Sequence, residues 1–303
     1  MKTVLVGDGP RTSEVLAALQ SHPGTTVSGR VSRHGSQGGV PVYPTLTAAL
    51  GPVTADLVVL TGEIDSEDVA AAATNQRPIL LADAAAHSEA TVGALQKLAA
   101  GEKARVFLQR DADYGASATL RRFLASGRLG PIGHLSCDDR RTGGPGSGDG
   151  GRYWLSRGGP LLAQVCALLG TGARDVMARI DDDHGVTEAY VETLRGIHVH
   201  YSGGWRALAD SHCLWIEGAK GSLRTDGGQV WWRNRGWRFF VPVRLGGTPG
   251  AATLRATLDR VVAEIERGGV GDRQALGIAG AALASAGSRQ VVSVANPGRA
   301  VAA

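Results

Sequence analysis

Residues 4–19 read VLVGDGPRTSEVLAAL: an apolar run, a glycine turn and a helical pattern in direct succession. Val4–Val6 suit a buried strand, and Val15, Leu16, Ala18 and Leu19 give the next segment one apolar stripe at helical spacing. Between them, Gly7-x-Gly9-x-x-Thr12 keeps two glycines of the dinucleotide fingerprint and replaces the third. In that fingerprint the first glycine makes the tight turn and the second lets the backbone approach a pyrophosphate. The third lets the helix pack closely on the strand. Amide groups at the helix N-terminus then face the phosphates. Gly7 and Gly9 can serve the first two purposes, Thr12 is small and polar, and Pro10 suits a first helical turn. A plain strand-to-helix turn has the same local pattern, so this stretch alone leaves both readings open.

The alternation continues outward. TTVSGRVS (25–32), ADLVVLTG (55–62), RPILLAD (77–83) and ARVFLQR (104–110) read as strands. YPTLTAALG (43–51), SEDVAAAAT (66–74) and SEATVGALQKLAA (88–100) read as helices between them. Continuous apolar strands separated by amphipathic helices imply a parallel sheet covered on both faces. Ligands of such sheets sit beyond the carboxyl ends of the strands, where Gly7, Ser32, Thr61 and Asp83 fall.

Beyond residue 130 the pattern changes. GPIGHLSCDDRR (130–141) reads as a strand, followed by the glycine-rich loop TGGPGSGDGG (142–151) and the helix GGPLLAQVCALLG (158–170). Strand-like runs then dominate to residue 243: ARDVMARID, AYVETLRGIHVHYS, WRALADSHCLWIEG, GSLRTD, GQVWWRNR and GWRFFVPV, separated by turn signals that suit an antiparallel meander. The last clear helix is AATLRATLDRVVAEIERGG (251–269). The expected architecture is α/β. A Rossmann-type parallel-sheet domain occupies residues 1–118, and an α+β domain with a large open, mainly antiparallel sheet occupies 119–303. The C-terminal helix is expected to pack back on the first domain.

The chain of 303 residues carries a net charge of +4, with its arginines scattered among acids. Such a surface does not point to nucleic acid. The cysteines, Cys137, Cys166 and Cys213, have neither CxxC pairing nor metal-site spacing, so no metal is expected and buried thiols are the default. His198 and His200 share a strand face without an evident third ligand, and DDDH (181–184) reads as a solvated turn. The tryptophans at 205, 215, 231, 232 and 237 fall in the meander, where packing of the sheet or a subunit contact accounts for them. The N-terminus enters a strand directly, and no apolar run approaches the roughly 18 residues of a membrane span. The expected location is the cytoplasm.

The acidic residue that usually stands at the end of the second strand, about 20 positions after the glycine turn, and holds the ribose of NAD is missing from GRVSRHG (29–35). Ser32 and Arg33 could instead bond and neutralise a ribose 2′-phosphate, which favours NADP over NAD; an exposed turn is the alternative.

Taken together, these segments resemble the Gfo/Idh/MocA family of NAD(P)-dependent oxidoreductases along nearly the whole chain. VLVGDGPRTSEVLAALQSHPGTTVSGRVSR resembles the family's opening strand, turn and helix. GVPVYPTLTAAL is similar to its connection into the third unit, and ADLVVLTGEIDSEDVAAAA to its strand before the nicotinamide. TLRRFLASGRLGPIGHLS resembles the lead into the substrate domain, GGPLLAQVCALLG the helix facing the active site, and IEGAKGSLRTDGG a late hairpin. The resemblance implies a cofactor site at Gly7, Gly9, Thr12, Ser32, Arg33 and Thr61. It also implies association of copies through the C-terminal sheet.

The departures fall on the family's chemistry. Its Glu-Lys-Pro motif corresponds to Asp83-Ala84-Ala85, with Ala84 at the lysine position. The aspartate and histidine that share a face of its active-site helix correspond to Ala163 and Ala167, and a shift by one gives Gln164 and Leu168. An alanine can neither donate nor accept a proton. Asp83, Tyr153 and His198 remain as candidate proton-transfer groups, with a helix N-cap as the alternative for Asp83. Arg110, Tyr114, Trp154 and Gln164 are the candidate substrate-pocket residues, and Arg157 and Asp113 lie near them in sequence.

The expected function is that of an oxidoreductase-like enzyme with degenerate motifs, NADP-dependent or NAD-dependent. Its substrate would be a sugar, cyclitol or related small hydroxyl or carbonyl compound. Two alternatives stand beside it: reuse of the fold for an elimination, isomerisation or cyclisation, and a non-catalytic binding or partner subunit with no cofactor at all.

Overall fold

The computed structural model describes residues 1–8, 10–32, 39–61, 66–82, 94–95, 98, 105–109, 117–140, 142, 153–181, 185–204, 211–226, 229–243, 254–269 and 271–294. Its chain forms two compact units, Met1–Asp111 with Thr253–Leu276, and Ala112–Ala252 with Gly277–Ala303. Among the described residues the continuous α-helices are α1 (Pro10–Ser21), α2 (Leu46–Leu50), α3 (Ser66–Thr74), α4 (Ser117–Ala125), α5 (Gly159–Leu168), α6 (Leu254–Glu266) and α7 (Arg273–Ser288).

The first unit holds strands β1 (Lys2–Val6), β2 (Thr26–Val31), β3 (Val42–Tyr43), β4 (Leu57–Leu60), β5 (Ile79–Leu81) and β6 (Val106–Leu108). They form a parallel six-stranded sheet in the order β3-β2-β1-β4-β5-β6. Strand order reverses at β1, which lies between β2 and β4; the crevice beyond such a reversal is where doubly wound sheets take ligands. Every residue of β4, β5 and β6 is buried, as strands covered on both faces require. Leu5, Val15, Leu19, Leu57, Val59, Leu80 and Phe107 form one core, which Leu258 and Val261 of α6 complete. Each fully buried side chain of this kind contributes roughly 1.5–3 kcal/mol. Arg260 of α6 fastens the helix: its Nη2 donates to the Leu108 carbonyl at 2.8 Å and pairs with Asp272 at 3.0 Å. Asp272 in turn accepts from the Leu108 amide at 2.8 Å, so side chains take the hydrogen bonds of β6 that a further strand would otherwise make.

The second unit is built on β7 (Ile132–Arg140), β8 (Ala173–Asp181), β9 (Val186–Thr193), β10 (His198–Gly204), β11 (Ser211–Gly218), β12 (Gly221–Thr225), β13 (Val230–Asn234), β14 (Val241–Pro242) and β15 (Val292–Ser293). The nine-stranded sheet runs β14-β13-β12-β11-β7-β10-β9-β8-β15, antiparallel throughout except for the parallel pair β7 and β10. Side chains alternate as the pleat demands. Leu135, Cys137 and Asp139, Val199 and Tyr201, and Leu214 and Ile216 are buried, while Met177, Tyr190 and His198 point from the opposite, open face.

Three elements depart from the sequence reading. GWRFFVPV contributes only the two-residue β14, and β15 is a further short strand at the other rim. The helix at 251–269 is not the last: α7 follows with 16 residues. Its sequence, RQALGIAGAALASAGS, is so rich in alanine and glycine that no sharp apolar stripe stands out. Packing decides it instead, with Ala275, Leu276, Ile278, Ala279 and Ala282 all buried. Ser285 of α7 also accepts a hydrogen bond from the Ala178 amide at 2.9 Å, just past the end of the β15 pairing. The expected helix over 88–100 lies almost wholly outside the described residues.

Candidate functional sites

In the first unit, Gly7 leaves β1 with φ of 131°, a conformation that favours glycine. A Cβ there would stand 2.0 Å from the Thr61 carbonyl oxygen, so the turn passes the end of β4 too closely for any side chain. The Gly7 amide donates to the Val31 carbonyl at 3.1 Å, and the Thr61 amide donates to that of Val6 at 2.9 Å. Thr12 is wholly buried on α1, and its hydroxyl shares a 2.8 Å hydrogen bond with that of Thr61. Where the fingerprint has a third glycine, this chain has a polar tie between helix and strand end. Ser32, also buried, donates to the carboxylate of Asp8, and Arg30 Nη2 lies 3.6 Å from the same carboxylate. The structure thus brings together Gly7, Thr12, Ser32 and Thr61 of the expected cofactor site and adds Asp8. Gly9 and Arg33 lie outside the described residues, as do Asp83, Arg110, Asp113 and Tyr114. Gly7 thus makes the tight turn that a dinucleotide fingerprint asks of its first glycine, beside the switch point and leading into α1 at Pro10.

In the second unit, a wide helical turn over Trp154–Gly158 runs directly into α5. The first of the paired glycines serves packing: a Cβ at Gly158 would meet the Trp154 ring at 2.5 Å. Arg157, from this turn, grips Asp139 of β7 through Nε at 2.6 Å and Nη2 at 2.8 Å. His212 Nδ1 lies 3.1 Å from Oδ1, the oxygen that Arg157 Nη2 also reaches. The Tyr153 hydroxyl lies 2.6 Å from the Asp139 carbonyl and 2.9 Å from its carboxylate, and accepts from Tyr201 at 2.8 Å. Gly203 makes room for it, since a Cβ there would come within 2.2 Å of the phenol oxygen. Asp139 is 0% and Arg157 5% exposed, so the whole cluster is interior.

The electrostatics follow. Burial raises the Asp139 pKa, but hydrogen bonds from Arg157 and His212, with their charges, outweigh it and hold the carboxyl well below the usual range. Burial and the Asp139 charge push the Tyr153 phenol well up, and burial does the same to Tyr201. Burial disfavours the Arg157 charge, yet the Asp139 bond and charge leave it firmly protonated. At neutral pH Asp139 and Arg157 are charged and the phenols of Tyr153 and Tyr201 are neutral.

The other expected residues are placed as follows. Trp154 is fully buried with its ring 5.3 Å from that of Tyr201. Gln164 is half-buried on α5, with Ala163 half-buried and Ala167 exposed on the same helix. Cys166 is buried, and burial pushes its thiol up to about 12. His198 lies on the open face of the sheet, so it is not brought together with Tyr153, whose hydroxyl fills the space above Gly203 on the inner face. Among the described residues no three His, Cys, Asp or Glu side chains could hold a metal ion. No described helix is long and apolar enough to cross a membrane. Asp139, Tyr201 and His212 escaped the sequence reading. The signal was present in the period of two, which puts Asp139 in phase with buried Leu135 and Cys137.

No family profile and no curated protein matches the sequence. Solved structures do match its fold. One is a provisionally assigned NADPH-dependent oxidoreductase from Desulfitobacterium hafniense, with a TM-score of 0.73 and 14% identity over 98% of both chains. An oxidoreductase from Agrobacterium radiobacter, solved with NAD+, L-tartaric acid and magnesium, gives 0.71 and 15% over 97% of this chain and 98% of its own. Levoglucosan dehydrogenase, solved with NADH and L-sorbose, gives 0.71 and 14% over the same shares, 97% and 98%. At these identities the likeness establishes the two-part fold and leaves the chemistry to the residues.

Proposed function

We propose that the chain is an oxidoreductase-like protein of the Gfo/Idh/MocA type that holds a nicotinamide dinucleotide at the β1–α1 turn. The observation that carries this reading is the Gly7–Thr61 approach at the switch point of a β3-β2-β1-β4-β5-β6 sheet. Gly7 and the start of α1 would hold the cofactor, with the buried Thr12–Thr61 pair fixing the turn and Gly9, Ser32 and Arg33 as further contacts. Support comes from the folds it matches, two of which were solved with NAD+ or NADH. When bound, a nicotinamide dinucleotide supplies hydride transfer, and the protein has to position it and manage protons. The proposed substrate class is a small hydroxyl or carbonyl compound such as a sugar or cyclitol, contacted by Gln164, Arg110 and Tyr114.

Proton management sets this chain apart. Ala163 and Ala167 leave α5 without a proton-transfer pair, and Tyr153 is committed to Asp139 with its pKa raised. Tyr153 and Trp154 therefore serve as scaffold, leaving Asp83 or water to move the proton. Loss of such groups lowers turnover by about 10² to 10⁴. These same alanines favour a second reading, in which the bound cofactor supports non-redox chemistry or ligand binding alone.

Titration of the purified protein with NADH and NADPH, followed by calorimetry and tryptophan fluorescence, tests the proposal. Saturable binding at micromolar dinucleotide supports it, and no binding of either at millimolar concentration overturns it. Turnover on a polyol and aldose panel then separates slow dehydrogenation from the second reading. Association of copies through the open sheet face, where Met177 and Tyr190 are half or more exposed, belongs to the same proposal. A monomer in analytical ultracentrifugation would refute that part alone.

A further inference from the structure

The adenosine ribose is where NAD and NADP differ: NAD offers two vicinal hydroxyls, and NADP replaces one with a phosphate. Doubly wound folds recognise the hydroxyls with an acidic side chain after the second strand, or receive the phosphate on an arginine there. From Val31 to Gly39 this chain has no aspartate or glutamate. A carboxylate is nevertheless present in space, because Asp8, the residue between the two glycines of the opening turn, reaches across to the end of β2. It accepts the Ser32 hydroxyl hydrogen bond and lies 3.6 Å from Arg30 Nη2. Its side chain is 27% exposed.

We propose that Asp8 takes over the role of the missing β2 acid, accepting the ribose hydroxyls of NAD(H) and disfavouring the 2′-phosphate of NADP(H). The proposal rests on dinucleotide binding at the β1–α1 turn and names which dinucleotide is taken. Of the two side chains expected to receive a phosphate, Ser32 is engaged by this carboxylate, as is the guanidinium of Arg30 on β2; Arg33 lies outside the described residues. The Ser32 hydroxyl points its hydrogen at Asp8, and the Arg30 guanidinium, with only 11% of its side chain exposed, is compensated by the Asp8 charge. A phosphate dianion entering there meets a like charge as its neighbour, whereas a ribose hydroxyl meets an acceptor. The sequence expectation of NADP weighed Ser32 and Arg33 without Asp8, which only the folded turn brings to the end of β2.

The test is calorimetric binding of NADH and NADPH to the full chain, with ADP-ribose and its 2′-phosphorylated form as probes that lack the nicotinamide. The wild type is expected to hold NADH, and ADP-ribose, at least about tenfold tighter than the phosphorylated counterparts. Asp8→Ser releases Ser32 and Arg30 and is expected to erase or invert that ratio; Asp8→Asn keeps the shape and serves if the serine variant does not fold. Equal affinities or a preference for NADPH in the wild type overturn the proposal and leave dinucleotide binding standing. A folded Asp8→Ser or Asp8→Asn protein with an unchanged ratio overturns the assignment to Asp8. No binding of any probe overturns both this proposal and the one on which it rests.

Discussion

Arg157 holds the Asp139 carboxylate from two of its nitrogens, at 2.6 and 2.8 Å, where neither side chain meets solvent to any useful extent. Removing one partner leaves the other charged and buried. Asp139→Ala and Arg157→Ala are each expected to lower the unfolding free energy by about 3–5 kcal/mol. The double variant should cost clearly less than the sum, because no orphan charge remains. Urea denaturation of the three variants checks this; additive losses would refute the coupling.

The same carboxylate makes stability depend on acid. Its folded pKa is depressed, so its contribution is fully present above the unfolded value of about 4 and is lost as pH falls toward the folded value. Urea midpoints should therefore drop between about pH 5 and pH 3, with a shallower slope in Asp139→Asn. Tyr153 and Tyr201 act at the other end: their folded values are raised, so their contribution is present below about pH 10 and fades above it.

At the opening turn, Gly7→Ala places a Cβ against the Thr61 carbonyl and forces an alanine to φ of 131°. We expect a loss of at least about 1–3 kcal/mol of stability and of dinucleotide binding together. Thr61→Val removes only the buried hydroxyl pair with Thr12, and about 1–3 kcal/mol is expected from the unpaired hydroxyl left behind. Thermal melts of both proteins, with and without NADH, separate the two effects.

Thiol labelling reports on the interior of the second unit. Cys137 and Cys166 are buried, and the Cys166 thiol is pushed up to about 12, so both should resist iodoacetamide at pH 8. Cys213, partly exposed and with its pKa raised mainly by burial, is the expected single slow site. In denaturant all 3 cysteines should label, and mass spectrometry counts them.

The fold was largely legible because periodicity is local. Alternation of apolar strands with helices foretold the parallel sheet, and period-two runs foretold the open one. What escaped depends on neighbours far along the chain. Asp139 is one of two adjacent acids in GPIGHLSCDDRR, and only β7, with its odd positions inward, sets it against Arg157, 18 residues away, which neutralises it. Asp8 read as a spacer between glycines, since only pairing of β1 with β2 brings it to Ser32, 24 residues away. Helix α7 was hidden by composition, its alanines and glycines being specified by close packing. The alanines at 163 and 167 were legible from the start, and both lie on α5.

The ends of the nine-stranded sheet carry one more consequence. At one rim β14 is two residues long and ends in Pro242, which has no amide hydrogen to offer. At the other, β15 covers two residues of β8 and Ser285 takes the Ala178 amide beyond them. Both borders thus carry devices that blunt edge-to-edge pairing of strands between chains, a proline at one and a side-chain acceptor at the other. A short edge strand and a missing amide at its end are ways in which broad sheets limit the growth of further strands at their margins.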